Sequence, residues 1–227
     1  MVKYNEFAER DIRFAVACGP SGTKGIHLRD QDLSKPFEAN VKITPVFLNE
    51  SEVANEMKVA VNLNFALTCD KTWVKHPEHL NLMYTSRVFS VLVDARNLPP
   101  GPHSAYVKAF NSACPDQGAI FEVAVNVIVP QPLTTLVPRP MFTKNAEIFK
   151  SSQINRHFLT VPDKATWAVI TVTSQAAENA GRFILHTIQV IPKTIIKQFE
   201  NYKMFALNQN GEYKMSIAVK GETQISL

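Results

Sequence analysis

Glycine fills only 8 of the 227 positions and cysteine 3, and no apolar run approaches the length that crosses a bilayer. Cys18, Cys69 and Cys114 are odd in number and far apart, which suits free thiols in a reducing compartment better than a disulfide framework. The cytosol is therefore the expected location. The start, MVKYNEFAERDIRF, mixes both charge signs without an apolar core, so neither secretion nor membrane insertion is indicated. A net charge of +4, from 24 basic and 20 acidic residues, is spread along the chain and leaves no footprint for nucleic acid. The short glycine supply also weighs against phosphate loops and oxyanion-binding turns. No Gly-x-Ser-x-Gly occurs.

What the chain has is material for strands. Hydrophobic residues make up 45% and charged ones 19%, a globular balance, and 14 prolines accompany abundant Val, Ile, Thr and Phe. The expected class is all-β. Val88–Val93 is a short β-branched run that ends where Asp94 to Gly101 brings Asp, Asn, Pro and Gly together. From His103 onward Ala105, Val107 and Ala109 alternate with Tyr106, Lys108 and Phe110, and Phe121, Val123, Val125, Val127 and Val129 share one face of a further strand. These three segments are expected to lie side by side as one wall of a β-sandwich.

Ahead of them, Ile12, Phe14 and Val16 fit an edge strand and Ile26–Asp30 a short one. Val41, Ile43, Pro45 and Phe47 alternate. The strongest alternation puts Val59, Val61, Leu63, Phe65 and Leu67 on one face, a half-exposed antiparallel strand expected to pair with the wall. Trp73 is expected in the core. Seven or eight strands to residue 130 match an immunoglobulin-like sandwich. Four prolines among residues 129–140 mark a semi-rigid connection, giving a first domain at 1–130, a Pro-rich linker at 131–140 and a second domain at 141–227.

The second domain continues in the same style. Ile154 to Val161 alternates, Pro162–Ala165 is a turn, Trp167, Val169, Thr171 and Thr173 follow, and Phe183, Leu185, Thr187, Gln189 and Ile191 line one face. Lys193–Lys203 is loop or strand. Asn208-Gln209-Asn210-Gly211 reads as a hairpin turn leading to Met215–Val219. Ile225-Ser226-Leu227 reads as a last strand with an unpaired edge, as in a domain cut short at its C-terminal end.

Few residues look chemically armed. Gly19 to Gly25 has glycines and a lysine, but Gly22-Thr23-Lys24-Gly25 is in the wrong order for a phosphate-binding loop and reads as a plain turn. His76 and His79 are three apart, yet Pro77 spoils the helix that would aim both at a metal, so they read as exposed. Cys69 and Cys114 lack the setting of a thiolate nucleophile, and Asp94 is a turn-former. Asn49-Glu50-Ser51 matches a glycosylation acceptor pattern and reads as an ordinary loop. Arg156 and His157 suggest an anion or sugar contact, against a half-buried strand histidine bonded to backbone. The expectation is no catalytic, cofactor-binding or metal-binding residue in these 227, and no cofactor.

Several stretches nonetheless resemble a known family. Gly25-Ile26-His27-Leu28-Arg29-Asp30, Trp73-Val74 with Pro77, His79-Leu80 and Leu82-Met83, then Val93-Asp94 with Leu98 and Gly101 to His103, are similar to the region after the protease domain in the tripeptidyl-peptidase II family. Arg156-His157-Phe158, Val161-Pro162 and Ala165-Thr166-Trp167-Ala168 continue the likeness, which covers most of residues 10–227 in order. The resemblance implies very large cytosolic subtilisin-type serine exopeptidases that remove tripeptides from free N-termini of oligopeptides, proteasome products included, and assemble into giant homo-oligomers. It implies an immunoglobulin-like domain followed by a jelly-roll of the galactose-binding type, a fold name that carries no sugar site with it. The family's Asp, His and Ser triad and its acidic N-terminus-binding residues lie upstream of the matched region, so none transfers. The implied role is a non-catalytic module whose partners are its own protease domain, neighbouring subunits and, through the parent protein, peptides. No nucleic acid or membrane partner is expected. The alternative is a free-standing carbohydrate- or ligand-binding sandwich.

Overall fold

A computed structural model describes residues 12–29, 33–48, 50–134, 139–145, 147–175, 181–189, 191, 196–221 and 224–226. One compact unit holds the described residues up to Leu98 with Pro102–Val127; the other holds Pro99–Gly101 and Ile128 onward. Both are built from strands.

In the first unit one sheet takes β1 (Ile12–Cys18), β3 (Phe37–Phe47), β5 (Val74–Lys75) and β7 (Arg87–Val93), in the order β1-β3-β7-β5. The other takes β2 (Gly25–Arg29), β4 (Asn62–Thr68), β6 (His79–Met83), β8 (Gly101–Asn111) and β9 (Ala119–Val129), in the order β2-β9-β8-β4-β6. Alternation does its work here: Val41, Ile43, Val91 and Val93 of one sheet and Phe65, Leu82, Val107, Val123, Val125 and Val127 of the other are fully or almost fully buried. Each such side chain stabilises the fold by about 1.5–3 kcal/mol of transfer free energy. Phe14, Phe65 and Phe121 meet at ring-centroid distances of 5.3–5.9 Å, joining β1 to β4 and β9 across the sandwich.

The expected wall of three strands is corrected. β8 and β9 are neighbours, but β7 lies in the opposite sheet, paired with β3 through Phe37↔Val93 to Ile43↔Arg87. Residues Asp94 to Pro100 form a crossing, not a hairpin. Seven residues with two prolines are too many and too stiff for the two-residue turns that join neighbouring strands. Val59 also leaves its expected strand: Asn55–Val59 is a short helix, α1, and Val59 is 64% exposed, so the strand begins at Asn62. Trp73 is half-buried and the neighbouring Val74 takes the core position. β4 pairs with β8, as expected.

The second unit has a four-stranded sheet, β10 (Phe158–Thr160), β12 (Gly181–Gln189), β13 (Glu200–Leu207) and β15 (Gln224–Ser226), in the order β10-β15-β12-β13. A two-stranded sheet pairs β11 (Trp167–Thr173) with β14 (Glu212–Ala218). Val161, Ile217, Val219 and Ile225 form the core between them, with Leu159, Ala168, Ile170 and Met215 packed alongside. The turn at Asn208–Gly211 exists, with Asn210 at φ 54° and the Gly211 N–H donating to the Asn208 carbonyl at 2.9 Å. It does not close a hairpin, because β13 pairs with β12 and β14 with β11. The last strand is not an edge either: β15 sits between β10 and β12. Of the stretch expected as loop or strand, residues 193–195 lie outside the described residues, Ile196–Phe199 is a 3-10 turn and Glu200 opens β13. Before β10, the Gln131 N–H donates to the Phe158 carbonyl at 2.7 Å and Thr134 exchanges hydrogen bonds with Met141, so the Pro-rich segment is tied by its backbone.

Candidate functional site

The densest polar cluster gathers around His157, just ahead of β10. The described residues from Arg139 to His157 contain no strand, and their side chains reach back to the sheet. The His157 Nε2 lies 3.3 Å from the Glu147 Oε2, both side chains about four-fifths buried, and the Gln131 Nε2 is 3.5 Å from the ring Nδ1. Asn155 donates from Nδ2 to the same Glu147 oxygen at 3.4 Å, and Gln153 donates to Asn155 at 2.8 Å. The Phe142 ring lies 5.5 Å from the imidazole, tilted by 46°. His157 is thus half-buried, as expected, but its partners are side chains and not backbone. Arg156 beside it points into solvent. The two do not form a joint anion-binding pair, since the ring is already committed to a carboxylate.

The other residues singled out in the sequence stand apart. His79 is exposed on the edge strand β6, while the His76 Nδ1 bonds the Pro77 carbonyl at 2.8 Å. Among the described residues no three His, Cys, Asp or Glu side chains converge to hold a metal ion. Gly19 to Gly25 is a closed turn: Cys18 and Thr23 exchange backbone hydrogen bonds, the Thr23 hydroxyl donates to the Gly25 carbonyl at 2.8 Å, and β2 follows instead of a helix. None of the three cysteines is in a disulfide, and burial pushes the Cys18 thiol up from its ordinary value. Asn49 of the acceptor pattern lies outside the described residues.

Asp94 does more than break a strand. Its Oδ2 accepts from the Arg96 Nη2 at 2.7 Å and its Oδ1 from the Arg96 Nε at 2.9 Å, a two-pronged pair that holds the carboxyl down to about 2. Lys71 beside Asp70 acts in the same direction. Sequence reading also misses His186, whose Nε2 lies 2.9 Å from the Glu200 Oε1 across the β12–β13 pair. The register of that pair is the one signal that would have found it. Beside β1 a cleft of about 640 Å³ is lined by Ile12, Arg13, Phe14, Leu63, Phe65 and Asn111. Its lining offers apolar side chains, the amides of Asn111 and Gln117 and one guanidinium, and no nucleophile. The hydrogen bonds of His27, His76, His157 and His186 go to amide, carbonyl and carboxylate groups. Chemically, the described residues offer braces.

Comparison with known proteins agrees in kind. Residues 12–128 match the family model described as "Tripeptidyl-peptidase II, first Ig-like domain", and residues 149–227 the one described as "TPPII, galactose-binding domain-like". Tripeptidyl-peptidase 2 of Drosophila melanogaster is 31% identical over 97% of this chain and 16% of its own length. The Arabidopsis thaliana protein of the same name is 29% identical over 81% of this chain and 13% of its own. The chain therefore spans about an eighth to a sixth of the length of the curated relatives it matches. A crystal structure of tripeptidyl peptidase 2 superimposes on the whole chain and 19% of its own with a TM-score of 0.89 at 30% identity. On this match of family models, sequence and fold, the chain belongs to the tripeptidyl-peptidase II family, as an immunoglobulin-like domain followed by a galactose-binding-like one.

Proposed function

We propose that these residues are a non-catalytic scaffold of a giant cytosolic peptidase that removes tripeptides from free N-termini of oligopeptides, proteasome products included. The observation that carries this reading is the kind of polar group found here. Among the described residues the ion pairs of Asp94 with Arg96, of His157 with Glu147 and of His186 with Glu200 each join two side chains of one unit. The catalytic machinery belongs, on this reading, to the subtilisin-type domain upstream, and the two sandwiches hold that domain and neighbouring subunits in a homo-oligomer. A ligand role for the second unit finds less support, because His157 spends both ring nitrogens on its own chain.

The test is made on the intact parent protein. Cytosol is fractionated by size and assayed with a tripeptidyl fluorogenic substrate while an antibody to this segment follows the polypeptide. Activity and antibody signal rising together in a megadalton fraction agree with the proposal. Activity in a small species that the antibody does not see would sink it, as would hydrolysis by the purified 227-residue chain. In that second case the sandwich itself would need an active site.

A further inference from the structure

The cluster at His157 joins three stretches that regular structure leaves loose: Gln131 from the Pro-rich segment, Phe142 to Asn155 from the strandless stretch, and the entry to β10. We propose that a second proton on the His157 imidazole tightens this cluster, so that acid fastens residues 147–155 to the sheet and alkali loosens them.

An amide nitrogen only donates, so with the Gln131 Nε2 at 3.5 Å the ring Nδ1 is an acceptor and the ring is neutral, its proton on Nε2 facing Glu147. Taking up a proton at Nδ1 turns the Nε2–H bond to the Glu147 carboxylate, already assisted by the acceptor's charge, into an ion pair between opposite charges. It also places a cation 5.5 Å from the Phe142 ring, within cation–π range. One contact must change: Gln131 has to turn its oxygen toward the new Nδ1–H. Nothing resists that turn, since the Gln131 Oε1 is buried without a hydrogen-bond partner among the described residues. The turn exchanges one unpartnered buried group for another, so the gain at Glu147 and Phe142 is kept. Glu147 is the charged group in contact with the ring; Gln131, Asn155 and Phe142 complete its surroundings without charge. The proton comes from solvent and no other bond is made or broken. Since the protonated form is the one held, the tightening is present in acid and lost as pH rises through the ring's titration.

The readout is amide exchange at Lys150 and Gln153, whose N–H groups are bonded within the stretch. Exchange is measured by NMR on the whole chain, relative to intrinsic rates, at about pH 5 and about pH 8. Protection should be about fivefold higher in acid, the scale of one partly buried ion pair. Glu147→Gln keeps an acceptor beside Nε2 but removes the charge, and should flatten the dependence; Phe142→Leu should reduce it. His157→Gln should flatten it as well, and if that variant fails to fold, Glu147→Gln decides alone. Equal protection at both pH values in the unaltered chain, or an undiminished dependence in Glu147→Gln, overturns the proposal.

Discussion

Gln189 and the backbone of Lys220 hold each other by two hydrogen bonds: the amide Nε2 donates to the Lys220 carbonyl at 2.7 Å, and the Lys220 N–H donates to Oε1 at 2.9 Å. The side chain thus reproduces a ladder step between β12 and the chain leaving β14, where no strand runs. It is 1% exposed, so both bonds lie in a medium that makes them costly to lose. Gln189→Leu keeps the volume but makes neither bond, and should cost about 2–3 kcal/mol, read as a lower urea midpoint with an unchanged slope. Gln189→Glu keeps the acceptor for the Lys220 N–H and sets a carboxylate against its carbonyl. That variant should be least stable at neutral pH and recover in acid, where the carboxyl regains a proton to donate.

In the first unit, Phe65 is the most deeply buried ring of the cluster it forms with Phe14, at 5.6 Å, and Phe121, at 5.3 Å, meeting both edge to face. It is 1% exposed. Phe65→Ala removes the centre of the cluster and should cost about 3–5 kcal/mol. Val88→Ala, on the outer face of β7 with 54% exposure, should stay within about 0.5 kcal/mol of the parent. Equal losses at the two sites by chemical denaturation would mean that the aromatic cluster does not anchor the sandwich.

Strand faces were legible in the sequence and strand neighbours only in part: β8 lies between β4 and β9 as expected, while β7 joins the other sheet. The alternation of Phe121 to Val129, of Leu63 to Leu67 and of Phe183 to Gln189 gives the buried faces directly, because period two is a property of the strand itself. Which sheet a strand joins is set by its connection, and Asp94 to Pro100 resembles a loose hairpin until its length and two prolines are counted. The same gap explains β14, assigned to the wrong partner after a correctly placed turn, and β15, taken for an edge although it lies inside its sheet. Val59 continued the alternation by composition alone, while Glu56 and Lys58 sit at the ends where a helix of five residues favours them. The partners of His157 lie 10 and 26 residues away on strandless chain, a distance at which spacing carries no signal.

Gly25 shows how a residue draws attention for the wrong reason. It closes a glycine-rich turn, yet its own constraint is contact: a Cβ there would lie 2.8 Å from the Ala124 carbonyl oxygen of β9. Since that atom belongs to backbone, the strand itself would have to shift. Gly25→Ala should cost about 1–3 kcal/mol by overpacking. Gly118→Ala, where φ is 86° but nothing lies within 4 Å, should show the cost of backbone strain alone, and the two should add when combined.

Cys18 is 2% exposed, and burial disfavours its thiolate, whereas Cys69 and Cys114 are partly exposed. A thiol reagent acts on the thiolate, so access and charge work in the same direction. In the folded chain an aromatic disulfide reagent should label Cys69 and Cys114 first and reach Cys18 only at the rate of unfolding. Urea below the midpoint should accelerate Cys18 in proportion to its opening. Labelling of Cys18 as fast as the other two, followed by mass spectrometry of the peptides, would mean that the β1–β3 edge opens without unfolding.

The crossing from β7 to β8 is closed by Asp94 on both sides of its backbone. Its N–H donates to the Trp73 carbonyl at 2.9 Å, and its carboxylate takes the Arg96 guanidinium and, at 3.3 Å, the Arg96 N–H. With the carboxyl held at about 2 by these bonds, the folded chain favours the ionised form more than the unfolded chain does. The sign follows: the crossing is braced above the ordinary carboxylate range, and the brace weakens as pH falls toward 2. A carbon-detected NMR titration of the side-chain carboxyl should place Asp94 near 2, below the ordinary aspartate value near 3.9. Arg96→Gln removes the guanidinium and should return it toward the ordinary value near 3.9. The group is open to solvent, so salt should screen the pairing and move the titration in the same direction. An Asp94 that titrates near the ordinary 3.9 in the unaltered chain would mean that the pair does not persist in solution and that the prolines hold the crossing by themselves.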